Sequence, residues 1–202
     1  MINKSRIHGL CDSCIEKTDW TADSFCLSMD GFYFDEMMSC CTYGFYPRQI
    51  IFGLKLGGKT YIAKGIGKLM GERAALSKTS FDLIVPVPSS KKRIKQRGFN
   101  QAALLAGYAA QELGIPMREN ILVKEAETKS MRGSSGLDRR QMLKDVFGVT
   151  DNSMIQGKKI LLVDDVVTTG STADECARTL KKSGAAYVGV LCFASASGYG
   201  II

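Results

Sequence analysis

Apolar and polar positions along this chain follow two periods in turn. Ile160 to Val163 is an unbroken apolar run, which suits a strand covered on both faces, as in a parallel sheet. Tyr187 to Phe193 reads as a final buried strand. Ala173, Cys176, Ala177 and Leu180 recur at i, i+3, i+4 and i+7, so the segment opening at Ser171 is a helix with one face on the sheet. Asp174 and Glu175 in its first turn and Lys181 and Lys182 in its last complement the helix dipole, and Gly184 fits its stop. Upstream, Ile50, Ile51 and Leu54 give an apolar face to a helix that starts near Pro47 and ends at Gly57-Gly58. A second helix spans 60–76, and its interior Gly65, Gly67 and Gly71 mean that packing must hold it. Leu83 to Val87 is a short strand ended by Pro86 and Pro88, and Asn100 to Leu113 is a helix stopped by Gly114. Asn120 to Lys124 and Val146 to Val149 are further strands. Between them, the polar, glycine-containing Lys129 to Gly136 reads as a mobile loop leading to a short helix at Leu137 to Leu143. Strands alternating with helices predict an α/β fold, a central parallel sheet flanked by helices.

Composition adds a boundary. Five of the seven cysteines fall in the first 41 residues, a stretch without helical period that reads as short strands and turns. Residues 1–44 are therefore expected to be a small Cys-rich appendage, and 45–202 the α/β domain; 202 residues suffice for one substantial core. Met1 to Leu10 has two basic residues and no apolar stretch, so no signal peptide is read there. The uncharged tail from Ala185 is diluted by glycine, serine and tyrosine, which argues against a membrane span. The expectation is a cytoplasmic protein without membrane insertion, where cysteines stay reduced. The net charge of +7, from 27 basic and 20 acidic residues, suits phosphorylated metabolites, nucleic acid or an acidic protein face, without choosing among them.

The chemistry concentrates after the apolar run at 160–163. Asp164 and Asp165 are followed by Val166, Val167, Thr168, Thr169, Gly170, Ser171 and Thr172. Backbone N–H groups at a helix start, with hydroxyls beside them, form a phosphate cradle. Two adjacent carboxylates can hold magnesium or accept hydrogen bonds from a sugar diol. The combination describes a sugar-phosphate site, with a plain strand-to-helix turn as the alternative. A second segment, Ser89-Ser90 followed by five basic residues in the seven positions 91–97, reads as a basic loop at a strand end, placed to receive a polyanion.

These segments resemble a known family. Asp164 to Thr172 is similar to the PRPP signature of type I phosphoribosyltransferases. The stretch Pro86-Val87-Pro88, the basic loop, and Arg97-Gly98-Phe99-Asn100-Gln101 resemble the ComF family of phosphoribosyltransferase-like proteins. Arg132 to Leu143 resembles that family's flexible loop, ending in Leu137-Asp138-Arg139-Arg140, and Tyr43 to Lys55 resembles the segment ahead of its core. The resemblance implies a type I phosphoribosyltransferase fold that binds PRPP, or a related ribose 5-phosphate, with magnesium. Asp164 and Asp165 would be catalytic and contact the ribose hydroxyls. Val166 to Thr172 would bind the 5-phosphate, and Ser89, Ser90, Lys91, Arg93 and Arg97 the pyrophosphate. Arg139 and Arg140 would belong to the closing loop. Ser89-Ser90 departs from the more apolar or His-containing pair of the family. The acceptor is not implied, a homodimer is left open, and the alternative is a competence and DNA-uptake accessory acting through single-stranded DNA or competence proteins.

The resemblance also implies a zinc-ribbon-like N-terminus. Cys11, Cys14 and Cys26 would be zinc ligands, but Met29 stands where the family completes a second Cys-x-x-Cys pair. A neutral thioether is a poor zinc donor. The site is then degenerate, with Cys40, Cys41 or His8 as a fourth ligand, or vestigial; a bound zinc would be structural.

Overall fold

The computed structural model describes residues 9–21, 26–28, 31–56, 60–125 and 144–196, with only the backbone at 26–28 and 56. The strands are β1 (Cys26–Ser28), β2 (Glu36–Thr42), β3 (Leu83–Pro86), β4 (Leu122–Lys124), β5 (Phe147–Val149), β6 (Lys159–Val167) and β7 (Tyr187–Ser195). The helices are α1 (Asp12–Glu16), α2 (Phe45–Leu56), α3 (Tyr61–Ala74), α4 (Lys91–Arg97), α5 (Gln101–Leu113) and α6 (Ser171–Lys182). The main sheet has the order β1-β2-β7-β6-β3, and β2, β7, β6 and β3 are parallel. β1 joins the edge antiparallel to β2, and β4 with β5 forms a separate two-stranded ribbon.

Successive side chains of a strand point to opposite faces, and here each face has its own core. Leu161, Val163 and Ile84 pack with Ile66 and Met70 of α3 and Leu105 and Ala109 of α5. Ile160, Leu162 and Val85 pack with Ala173, Cys176, Ala177 and Leu180 of α6. The helices following β3 and β6, which are neighbours in the sheet, thus cover opposite faces. The strand ends at such a divergence leave a crevice at their carboxyl edge.

The glycines of α3 have a packing reason. A Cβ on Gly67 would lie 2.5 Å from Tyr108 Cβ and 2.9 Å from the Leu105 carbonyl oxygen, and one on Gly71 would lie 2.6 Å from Glu112 Cβ. They let α3 and α5 approach closely. Gly67→Ala is therefore expected to lower stability by about 1–3 kcal/mol through overpacking, although alanine is the better helix former. Urea unfolding measures it, and a variant as stable as the parent would show that the two helices part without cost.

Three expectations need correction. The boundary at 44 is not a break in the core: β2 is a strand of the main sheet beside β7, with Met37, Met38, Cys40 and Cys41 buried. The basic segment 91–97 is a helix and not a loop. The Ser90 side chain caps it by accepting from the Arg93 N–H, and Gly98 ends it at φ 84°. Lys, Arg and Gln are good helix formers once both ends are capped. β6 also runs on to Val167, so the acidic pair lies within the strand and not after it. The expected loop at 129–136, the helix at 137–143, Arg139 and Arg140 lie outside the described residues. Among the described residues no helix is long and apolar enough to cross a membrane.

Candidate functional site

The crevice at the carboxyl ends of β3 and β6 is a cavity of about 680 Å³. Asp164, Asp165 and Val166 to Thr172 line it from β6, the following turn and the start of α6; Ser89, Ser90, Arg93 and Arg97 line it from α4 and the chain ahead of it. Lys91, expected among the phosphate contacts, is not part of the lining. Along a helix, 92, 93, 96 and 97 share a face that 91 and 95 do not, so Lys92 and Gln96 take that place.

Val166 and Val167 close β6, paired with Ala194 and Ser195, and the turn proper is Thr168–Gly170. Gly170 sits at φ 74°, a backbone state that a Cβ would strain, and it brings no capping side chain to α6. The positive end of the helix dipole therefore opens on the turn. Thr169 Oγ1 and Ser171 Oγ lie 3.0 Å apart, hydroxyls gathered where an anion would sit.

The acidic pair is electrostatically loaded. The Asp165 N–H donates to Asp164 Oδ1 at 2.8 Å, and Lys55 Nζ from α2 lies 2.5 Å from Asp165 Oδ2. Burial and, after it, the neighbouring Asp165 push the Asp164 carboxyl up to about 7, while Lys55 pulls the other way. The single positive charge of Lys55 leaves the pair short of cation. Hard carboxylate oxygens beside threonine and serine hydroxyls are the donor set that a magnesium ion takes. Across the cavity, burial and then Arg93 hold the Arg97 guanidinium below its usual range, and Asp165 opposes that shift.

Ser89 and Ser90 serve the fold as well as the cavity. Ser89 Oγ donates to Asn100 Oδ1 at 3.0 Å, and the same oxygen accepts from the Ala102 N–H. Asn100 Nδ2 donates to the Val87 carbonyl, so this one side chain pins β3's exit to the start of α5. Sequence reasoning missed Lys55, Tyr43, Lys124 and Phe147, which the fold brings to the same cavity. Nothing local marks Lys55 among the cations of the chain; only the tertiary fold sets it against Asp165.

The cysteines separate into two groups. Cys11 is exposed at the start of α1, and hydrogen bonds from the Cys14 backbone and thiol hold its thiol below the usual range, which favours a thiolate. Cys40 and Cys41 are buried in β2. Burial pushes both thiols up, Cys41 to about 12, and Cys41 Sγ donates to the Phe193 carbonyl oxygen at 3.3 Å. His8 and the Cys26 side chain lie outside the described residues, and no group of three or more metal-binding side chains occurs among the described residues.

The chain is similar to several known proteins. The family described as phosphoribosyl transferase domain matches residues 100–199. Competence protein F of Haemophilus influenzae is 40% identical over 104 residues, covering 51% of this chain and 45% of that protein. DNA utilization protein YhgH of Escherichia coli K12 is 32% identical over 148 residues, 71% of this chain and 64% of its own length. Competence protein ComFC of Bacillus subtilis is 35% identical over 104 residues, 52% of this chain and 40% of that one. The matched stretches thus leave a third or more of each relative unmatched. Among solved structures, the glutamine PRPP amidotransferase of Bacillus subtilis aligns with a TM-score of 0.44 at 21% identity, over 63% of this chain and 25% of that one. Adenine phosphoribosyltransferase of Leishmania donovani aligns with a TM-score of 0.42 at 18% identity, over 67% and 53%.

Proposed function

The chain belongs to the ComF family of phosphoribosyltransferase-like proteins and has the type I phosphoribosyltransferase fold, and from that premise we propose that it binds PRPP with magnesium and transfers the ribosyl 5-phosphate to an acceptor. One observation carries the reading: an acidic pair, a hydroxyl-lined turn at a helix start and a basic helix face converge on one cavity. In this reading Thr168 to Thr172 hold the 5-phosphate through hydroxyls and the α6 dipole. Asp164 and Asp165 accept from the ribose 2′ and 3′ hydroxyls and offset the positive charge that grows on the sugar as its C1 bond breaks. Lys92, Arg93 and Arg97 stabilise the departing pyrophosphate. Magnesium, held at the acidic pair or on the pyrophosphate, would supply charge neutralisation at the leaving group. Zinc, where bound, would be structural and held by Cys11 and Cys14 with Cys26. The direct test is pyrophosphate release from PRPP and magnesium in the presence of candidate nucleophiles; binding without release under any of them leaves a PRPP-responsive protein and no transferase.

A second reading follows from the names of the relatives and one surface feature. Phe99, the aromatic beside the basic segment, packs against the core, but Phe45 and Phe52 of α2 are 68% and 56% exposed, with exposed Arg48 between them. Aromatics interleaved with cations suit stacking on single-stranded bases. In this reading the protein is a competence accessory, and Phe45→Ala with Phe52→Ala should weaken single-stranded DNA binding by about 10-fold or more, at 1–3 kcal/mol per stacked base. Unchanged fluorescence anisotropy titrations would exclude this face.

A further inference from the structure

Gln101, the first residue of α5, is 2% exposed and lines the cavity. Its Oε1 accepts from Arg97 Nη1 at 2.9 Å. Its Nε2 is buried without a hydrogen-bond partner, the one such side-chain atom among the described residues. Exchanging the amide's two ends does not relieve this, because Nε2 would then face a guanidinium that can only donate. Arg97 therefore fixes the amide with its donor end unspent. A buried donor left unmet is costly, and native interiors keep few. Nothing in the proposed transfer chemistry uses this group.

We infer that Gln101 is a ligand-binding residue whose Nε2 donates to an oxygen of the pyrophosphate group, as the neutral member of a clamp with Arg93 and Arg97. The acceptor class follows from the surroundings. Arg93 and Arg97 line the same cavity, and Arg97 is hydrogen-bonded to Gln101 itself, so the missing acceptor sits on the basic side of a cavity whose other side carries Asp164 and Asp165. An anionic phosphate oxygen fits there better than a carbonyl or hydroxyl. The arrangement also assigns Arg97 a second task, since its hydrogen bond holds the Gln101 donor in place. This inference rests on the proposed PRPP site, and the probes below separate its failure from the failure of that site.

The experiment is calorimetric titration of the full chain with magnesium pyrophosphate and, separately, with ribose 5-phosphate. Gln101→Met keeps the length of the side chain but deletes both the donor and the oxygen that accepts from Arg97. It should weaken pyrophosphate binding about 10-fold, the scale of one hydrogen bond to a charged group. Ribose 5-phosphate affinity should stay within about two-fold, because the phosphate loop is untouched, and the melting temperature should stay near that of the parent, because removing an unmet buried donor offsets the lost hydrogen bond from Arg97. Gln101→Glu keeps the shape and the acceptor for Arg97 but sets a negative charge against the ligand. It should lose more pyrophosphate affinity than the methionine variant. Pyrophosphate affinity unchanged in both variants overturns the inference while leaving the PRPP site standing. So does equal loss of both ligands together with a lower melting temperature, the signature of a structural glutamine. A parent protein that binds neither ligand overturns the PRPP site and this inference with it.

Discussion

Replacing both acids, Asp164→Asn with Asp165→Asn, is expected to weaken magnesium-dependent PRPP binding by roughly 2–4 kcal/mol, about 30- to 1000-fold, while the protein stays folded. The loss is large because each carboxylate would make charge-assisted contacts in a partly dry site. The fold should survive because asparagine keeps the Oδ1 that accepts from the Asp165 N–H. Lys55 loses its carboxylate partner but is partly exposed and can turn to water. Calorimetry or a fluorescent PRPP-competition assay measures the affinity, with circular dichroism as the folding control. An unchanged affinity in a folded double variant would remove the acidic pair from the site.

The second large effect is on stability. Asp164 is held up to about 7 by burial and by Asp165, whereas in the unfolded chain it titrates near the ordinary aspartate value. Between those two values the folded state binds more protons than the unfolded state. That stability is fully present below the ordinary aspartate value and is lost as pH rises through about 7, where the half-buried carboxyl must ionise beside Asp165. Asp164→Asn cannot ionise. At pH 8 the single variant should therefore be more stable than the parent by about 2 kcal/mol, and the gain should vanish near pH 4. It should at the same time bind PRPP more weakly, so stability and binding move in opposite directions. Chemical denaturation across that pH range is the measurement. A variant less stable than the parent at pH 8 would mean that Lys55 already neutralises the pair.

The two predictions depend on residues that were not equally legible. Asp164 to Thr172 could be read directly because strand, acids, turn and helix start lie in one continuous stretch, each with its own local signature. The two-faced burial of β6 follows from its unbroken apolar run. β2 is less legible: Glu36 to Thr42 is buried almost throughout and shows no alternation, and its two cysteines are residues that metal sites also use. The sequence of α4 suggests a loop because a run of cations carries no apolar period. Its helix is decided by Ser90 and Gly98, which are visible in the sequence once the segment is asked where it could be capped. Lys55 and Gln101 lay beyond local reading. One is set by the packing of Ile50, Ile51 and Leu54 of α2 into the core, and the other by a hydrogen bond whose importance shows only when the amide's remaining donor is seen to be buried and unmet.

The central claim, a magnesium-dependent PRPP site at the carboxyl edge of β6, is tested most directly by titrating the parent protein with PRPP, with and without magnesium. The account predicts one saturable site per chain that tightens at least about 10-fold with magnesium, since the leaving pyrophosphate and the acidic pair otherwise repel across the same cavity. Ribose 5-phosphate should compete for it. Absence of binding, or binding indifferent to both magnesium and ribose 5-phosphate, would contradict the claim.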